Sequence, residues 1–247
     1  MNFSKISNQK VFGRLIRLPL RLIPKGMHVP ILQGQLRGWK WVTGSSTHGT
    51  WLGSYEYEKQ IIFVDTIKEG SVVFDIGAHV GFYTLLASKL VGARGKVIAF
   101  EPVPQNLYYL EEHLKLNGCI NVEIFPVAVG ETSAIVEFSQ GPSSSMGKVS
   151  SSGNLKVKMV NLDELFAKGD IPVPHYIKMD IEGGEMGALA GARRLLTECR
   201  PAIFLSTHGK DQHSACCQFL RSQGYELSSI GTPLIDQTDE ILAIAEF

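Results

Sequence analysis

No run of about 18 apolar residues occurs in this chain of 247, so the sequence predicts no membrane-spanning helix. Cysteine is scarce and unpatterned. Cys119, Cys199, Cys216 and Cys217 include no C-x-x-C spacing and two are adjacent, which argues against a disulfide framework and a zinc site. A reducing cytoplasm is the default compartment. Acid is missing from residues 1–55, which carry Lys5, Lys10, Arg14, Arg17, Arg21, Lys25, Arg37 and Lys40 for a charge of +8. The other 16 basic residues face 24 acids, so a formally neutral chain reads as an acidic body with a basic start. Three readings of that start stay open: an arm lying on the acidic body, a peripheral contact of residues 1–40 with an anionic membrane, RNA or phosphorylated carrier, and an Arg-rich transit segment. Arg14, Arg17 and Arg21 interrupt every apolar core that a secretory signal would need.

What the chain does have is an acid and two glycines at the end of a short apolar run. Val72–Phe74 leads into Asp75-Ile76-Gly77-Ala78-His79-Val80-Gly81, and an apolar segment of helical period follows. The order is strand, tight turn, helix, the opening unit of a nucleotide-binding α/β domain. Gly77, without a Cβ, is expected to let the turn approach a ligand, and Gly81 to let the helix start pack on the strand. The spacing is D-x-G-x-x-x-G rather than the dinucleotide G-x-G-x-x-G, and Asp75 would repel a pyrophosphate. A ligand with an amino group and a ribose fits better. Glu101, ending a second apolar strand, falls 20 residues after Gly81, where a carboxylate would hold ribose hydroxyls. Together these signals point to S-adenosylmethionine, and Asp75 in the turn disfavours a nicotinamide oxidoreductase.

The rest of the chain keeps the same rhythm. Residues 1–54 read as a basic, partly structured extension, with interleaved apolar and basic residues over 11–23 and short strands around Gln33 to Val42. Residues 55–247 read as the ligand-binding domain, opened by a helix from Tyr55 to Ile67. Strand 97–101 precedes a helix from Pro104 to Asn117, entered by a proline of fixed φ and stopped by Gly118. Strand 121–127 follows, then an alternating pair, Ala134–Phe138 and Leu155–Val160, around a Ser/Gly-rich loop at 140–153. Asn161 and Glu164 resemble a helix cap. Strand 175–181, a helix from Gly184 to Thr197, strand Ala202–Ser206, helix 211–223, strand 225–230 and strand Ile241–Phe247 complete the series. Strands alternating with helices predict an α/β fold: a largely parallel sheet covered on both faces, with its ligand beyond the strands' carboxyl ends. Asp75, Glu101, Asp180 and Ser206–His208 all fall there.

Asp75 to Thr84, Phe100-Glu101-Pro102 and Ile177-Lys178-Met179-Asp180-Ile181-Glu182-Gly183-Gly184-Glu185, with Trp51-Leu52-Gly53-Ser54-Tyr55-Glu56 upstream, resemble the FkbM-type methyltransferases over roughly residues 50–230. The resemblance implies a Rossmann-like class I methyltransferase fold, seven-stranded and mostly parallel with the last strand antiparallel, and methyl transfer from S-adenosylmethionine, usually to oxygen. It places Asp75, Gly77, Ala78 and Gly81 at the methionine end, Glu101 at the ribose, Asn106 and Ala128 near the nucleoside, and Asp180 facing the donor. His79 departs from the family's usual Asn, and Leu205-Ser206-Thr207-His208-Gly209 departs from the acid found after strand five in many relatives.

Methyl transfer from a sulfonium asks an enzyme to align donor and acceptor and to manage the acceptor's proton. Lys178, Asp180 and Glu182 share one side of a continued strand. Asp180 is expected to orient donor or acceptor, His208 to act as general base, and Lys178 either to take part or to pair with Asp180. Asp180, Glu182, Glu185 and His208 offer oxygen and nitrogen ligands, but their spacing is no recognised set, so no metal is assigned. The tetrad Ser-Thr-His-Gly occurs at 46–49 and at 206–209, a repeat that chance explains adequately. Trp39, Lys40, Trp41, Trp51 and Tyr55 could stack on RNA, but no flipped-base motif or nucleic-acid module accompanies them, and such aromatics more often cap a core or line a small-molecule pocket. The expected acceptor is a hydroxyl on a sugar, glycan or other small natural product. The alternatives are an RNA or protein methyltransferase, or a degenerate scaffold that binds S-adenosylmethionine without turnover.

Overall fold

In the computed structural model, residues 22–140, 147–149, 153 and 155–245 are described. The basic residues up to Arg21, and most of the Ser/Gly-rich stretch at 140–153, lie outside them. The elements run β1 (His28–Pro30), β2 (Lys40–Val42), α1 (His48–Leu52), α2 (Tyr57–Thr66), β3 (Val72–Ile76), α3 (Phe82–Val91), β4 (Lys96–Phe100), α4 (Pro104–Leu116), β5 (Val122–Phe125), β6 (Ala128–Val129), β7 (Ala134–Gln140), β8 (Gly147–Val149), β9 (Leu155–Val160), α5 (Leu162–Lys168), β10 (Tyr176–Met179), α6 (Glu185–Ala190), α7 (Arg193–Cys199), β11 (Ala202–Ser206), α8 (Lys210–Ser222), β12 (Tyr225–Ser229) and β13 (Glu240–Ala245).

Seven strands form the main sheet in the order β12-β13-β11-β10-β3-β4-β5. β13 is antiparallel to both β11 and β12, and the β11-β10-β3-β4-β5 pairings are all parallel. This is the class I methyltransferase arrangement, last strand reversed as expected. Successive side chains leave a strand on opposite faces, so each strand feeds two cores. Phe74, Ile76, Ile98, Phe100, Ile177 and Met179 pack with α6, α7 and α8. Val73, Val97, Ala99 and Phe204 pack with α2, α3 and α4. Asp75 lies on the second face, level with Val73, and is 1% exposed. A smaller sheet, β6-β9-β7-β8, carries the expected pair of alternating strands.

Several boundaries differ from the sequence reading, each with a tertiary cause. The expected strand 121–127 stops at Phe125, and Ala128–Val129 pairs instead with β9 in the small sheet. The expected helix 184–197 is two helices. Gly191 lies so close to Gly130 that an added Cβ would stand 2.2 Å from the Gly130 carbonyl oxygen, and the chain turns there. Asp163 then caps the second helix from outside it, accepting from Arg194 N at 2.9 Å and Leu195 N at 2.8 Å. Of the stretch Gln33–Val42 expected to hold short strands, only Lys40–Val42 is one, β2, and its antiparallel partner β1 lies upstream at His28–Pro30.

The stretch before α2 joins the same core. Trp41 is fully buried and stacks on His113 of α4, with ring centroids 3.9 Å apart. His113 Nδ1 donates to Val80 O at 2.7 Å while Nε2 accepts from Val42 N at 3.0 Å, so one neutral imidazole ties β2 to the glycine turn.

Candidate active site

The parallel strands end in a cavity of about 330 Å³, within the range typical of small-ligand sites. One wall is the turn after β3. Gly77 N and Ala78 N both donate to Phe100 O at 3.0 Å, and His79 N donates to Glu101 Oε2 at 2.8 Å. His79 sits at φ 51, a left-handed conformation that Asn and His tolerate better than most residues, which rationalises a His where the family usually has Asn. Burial first, and Lys178 second, push its imidazole down to about 4, so it is neutral at physiological pH.

Gly77 has a different neighbour from the one the sequence suggested. At φ +79, its missing Cβ would stand 2.0 Å from the carbonyl oxygen of Asp180, so this close approach is to the adjoining strand end. Gly81, at φ +92, makes room for Leu110 of α4 rather than for a strand. Asp75 lies one layer behind the cavity. Its Oδ2 accepts from Thr84 Oγ1 at 2.6 Å, and its Oδ1 pairs with Lys178 Nζ at 3.2 Å. Lys178 also donates to Gly77 O at 3.0 Å. Its short-range carboxylate is therefore Asp75, not Asp180.

Glu101 is 4% exposed and holds the turn together. Its Oε1 accepts from Val103 N at 2.9 Å and Asn106 Nδ2 at 3.1 Å. Burial raises its pKa, against the opposing effect of those hydrogen bonds. Asn106 is buried at the start of α4, and Ala128 packs beside Val103 in the small-sheet core. Of the expected donor residues, Gly77, Ala78, His79 and Asp180 line the cavity, and Asp75, Gly81, Glu101, Asn106 and Ala128 do not.

The adjoining wall follows β10, the neighbour of β3 in the sheet, and β11. The strand expected to continue to Ile181 stops at Met179, and Glu182 takes φ 57. Lys178, Asp180 and Glu182 nonetheless all face the cavity. His208 joins them from the loop after β11, with Nε2 3.6 Å from Asp180 Oδ1 and 3.5 Å from Glu182 Oε2. Its Nδ1 lies 2.7 Å from Oε1 of Glu185, which is 0% exposed. That hydrogen bond, with Asp180 and Glu182 adding to it, pushes the imidazole up to about 9 despite its desolvation. Asp180 is held below the usual carboxylate value, because Lys178, Lys59 and His208 together outweigh the upward effect of burial. Burial raises Glu182.

A third wall comes from residues the sequence did not nominate. Lys59 is 2% exposed, and its Nζ reaches Ser206 Oγ at 2.5 Å, Glu240 Oε2 at 2.8 Å and Glu56 Oε2 at 3.3 Å. Lys59 and Lys178 both place their ammonium groups over the ring of Tyr83, at 5.3 and 5.5 Å. Ser46 and Ser206–His208 all line the cavity, so both copies of the repeated tetrad contribute to it. The Trp51–Glu56 lead-in was the available signal for this wall, since Tyr55 and Glu56 line it.

The methyltransferase FkbM domain family matches residues 75–227. The hexuronic acid methyltransferase AglP of Haloferax volcanii is 28% identical over 139 residues, 55% of each chain, so the match spans about half of that relative's length. The protein-L-isoaspartate O-methyltransferase of Methanococcus aeolicus is 34% identical over 58 residues, 24% of this chain and 27% of that one. The crystal structure of methyltransferase FkbM from Methylobacillus flagellatus shares the fold, with TM-score 0.54 and 18% identity over 81% of this chain and 55% of that one. Because the family match covers more than half of the sequence, this chain belongs to the FkbM methyltransferases and carries an S-adenosylmethionine-dependent methyltransferase domain of that family.

Proposed function

We propose that the protein methylates a hydroxyl oxygen of a sugar, glycan-linked sugar or similar small polyol. The observation that carries this reading is one cavity lined both by the glycine turn and by the Asp180, Glu182 and His208 side chains beside it. A similar activity is named for AglP, which acts on a hexuronic acid. The residues fit the donor: the carboxylates Glu56, Asp180, Glu182, Asp239 and Glu240 line the cavity against one lysine, Lys178, which suits a sulfonium cation.

S-adenosylmethionine would supply the electrophilic methyl group. Gly77, Ala78, His79 and Gly81 would shape the methionine end, with Asp75 acting through Lys178. Glu101 and Asn106 would serve the ribose and nucleoside, near Ala128. Asp180 would orient the acceptor against the donor, and the Tyr83 and Phe82 rings would exclude water from the transfer path. Lys178 is a positioning residue, because its ammonium joins Asp75 to the Gly77 carbonyl. The sequence reading gives the acceptor's proton to His208. With Nδ1 on Glu185, only an imidazole whose Nε2 is free of its proton can do that.

The test joins two measurements. Calorimetric titration with S-adenosylmethionine and S-adenosylhomocysteine should show binding that falls at least about 100-fold in Glu101→Ala, since three donors then lose their acceptor. Mass spectrometry of neutral, amino and uronic sugar glycosides should then find one methyl added at oxygen. Donor binding with methyl appearing only on RNA or a peptide would overturn the acceptor class. Unchanged donor binding in Glu101→Ala would overturn the site assignment.

A further inference from the structure

We propose that Asp180, Glu182 and His208 form a divalent-cation site of the Mg²⁺ or Mn²⁺ kind on the acceptor side of the cavity. One carboxylate oxygen from each acid and one imidazole nitrogen lie within 4.8 Å of one another. The two approaches to His208 Nε2, 3.5 Å from Glu182 and 3.6 Å from Asp180, are too long for ordinary hydrogen bonds. They are close to the separation of two ligands on one ion. Donors about 2.1 Å from a shared cation stand roughly 3.0–3.5 Å apart, so closing on an ion needs shifts of a few tenths of an ångström.

A second observation lies behind the imidazole. Glu185 is 0% exposed, and its Oε1 meets His208 Nδ1 at 2.7 Å and accepts from Gly183 N at 2.9 Å. Its Oε2 is buried without a hydrogen-bond partner. A carboxylate sunk out of water behind a cavity-facing histidine fixes the ring and leaves Nε2 as the nitrogen turned towards the two carboxylates, where an ion would take the place of its proton. Metal-ligating histidines are held in this way. Among the described residues, no lysine or arginine comes within 4.0 Å of the Asp180 or Glu182 carboxylate, the lysines nearby being paired to Asp75, Glu56 and Glu240. The ligating side chains remain 23%, 31% and 34% exposed, which leaves coordination positions open towards the cavity. One imidazole with two carboxylates is a hard donor set, better suited to Mn²⁺ or Mg²⁺ than to a thiophilic ion.

This deepens the proposed function and rests on it for the chemistry. A cation here would take the acceptor hydroxyl together with a neighbouring hydroxyl or carboxylate oxygen. It would let an anionic sugar acid sit against a wall that otherwise repels it. With Nε2 on the ion, His208 would no longer serve as the base: the hydroxyl proton would pass to water, the oxygen–methyl bond would form, and the methyl–sulfur bond would break to leave the neutral thioether.

The probes are MnCl₂ and MgCl₂ alone, titrated into the full chain without donor or acceptor. Calorimetry and loss of the free Mn²⁺ paramagnetic signal are the readouts. One Mn²⁺ per chain is expected. Asp180→Asn and Glu182→Gln should each weaken it at least about tenfold, and Glu185→Gln about 10- to 100-fold through the ring it holds. Glu123→Gln, in an exposed pair with Lys96, should change nothing. Circular dichroism checks that each variant is folded. No Mn²⁺ binding at about 1 mM, the weak end for biological divalent sites, would overturn the proposal. So would binding that the triad substitutions leave unchanged. A chain that binds S-adenosylmethionine but no Mn²⁺ loses the metal site and keeps the methyltransferase reading, and the reverse result sinks that reading alone.

Discussion

The two turns that close the carboxyl edge of the sheet do different work. The turn after β3 is nearly self-contained: Gly77 N, Ala78 N and His79 N all donate to Phe100 and Glu101 of the adjoining strand end. The turn after β10 instead turns acids towards the cavity, and its partners arrive from far along the chain. His208 comes from the loop after β11, and a separate cluster of Glu56, Lys59 and Glu240 lies around the same cavity. A donor common to a whole family can be met by a short, rigid, backbone-built cradle. An acceptor that differs between members is met by side chains that several segments can vary independently.

The largest test of that contrast is Trp41→Ala. Trp41 is fully buried against His113 and Phe82 and holds β2 on the glycine turn, ahead of the segment that carries Ser46, Thr50 and Glu56 to the cavity. Losing it should cost about 3–5 kcal/mol in denaturant unfolding. A loss below about 1 kcal/mol, the scale of an exposed change, would mean that residues before 55 are a separable extension and that the third wall is an accessory.

Gly77→Ala strikes where the two turns touch. The added Cβ meets the Asp180 carbonyl at 2.0 Å, and φ is +79, so the acid must move with the turn. A destabilisation of about 2–3 kcal/mol is expected. The methyl-transfer rate should fall further than donor affinity, because the displaced residue belongs to the acceptor side. If donor affinity alone falls, the turns are independent and the contrast is sharper than drawn.

The turn after β3 was legible because its signals are local. An apolar run, an acid and two glycines within ten residues dictate strand, turn and helix, and the same punctuation by Pro104 and Gly118 located α4. The largely parallel, two-sided sheet followed from alternating strands and helices, and its reversed last strand from the family resemblance. The acceptor side was legible only where its residues sit at strand ends, as Asp180 and His208 do. Glu185 was visible as a helix-start acid, and nothing nearby in sequence says that its carboxylate reaches 23 residues on to His208. Lys59 reads as an ordinary helix-surface lysine until Ser206 and Glu240 close on it. The break in the expected 184–197 helix is of the same kind, imposed by Gly130 from another layer.

The smallest expected effect concerns how the walls respond to acid. His113 is fully buried, and it uses both ring nitrogens as only a neutral imidazole can, donating to Val80 O and accepting from Val42 N. Burial pushes it down to about 4 from an ordinary 6.5. In the unfolded chain the same ring takes up its proton at the higher value. Between about 6.5 and about 4 the unfolded state therefore binds more protons, and stability falls as pH falls, by up to about 1.4 kcal/mol per pH unit for one such group. Above about 6.5 the contribution is complete and flat. Urea unfolding at pH 7.5 and pH 5 should show this loss, and His113→Gln, which cannot take a proton, should remove the share of it due to His113 while lowering stability at pH 7.5. An unchanged slope in that variant would place the acid sensitivity in His79 of the donor turn, whose imidazole is also pushed down to about 4. The acid-labile point would then lie within the self-contained turn rather than at the joint between β2 and that turn.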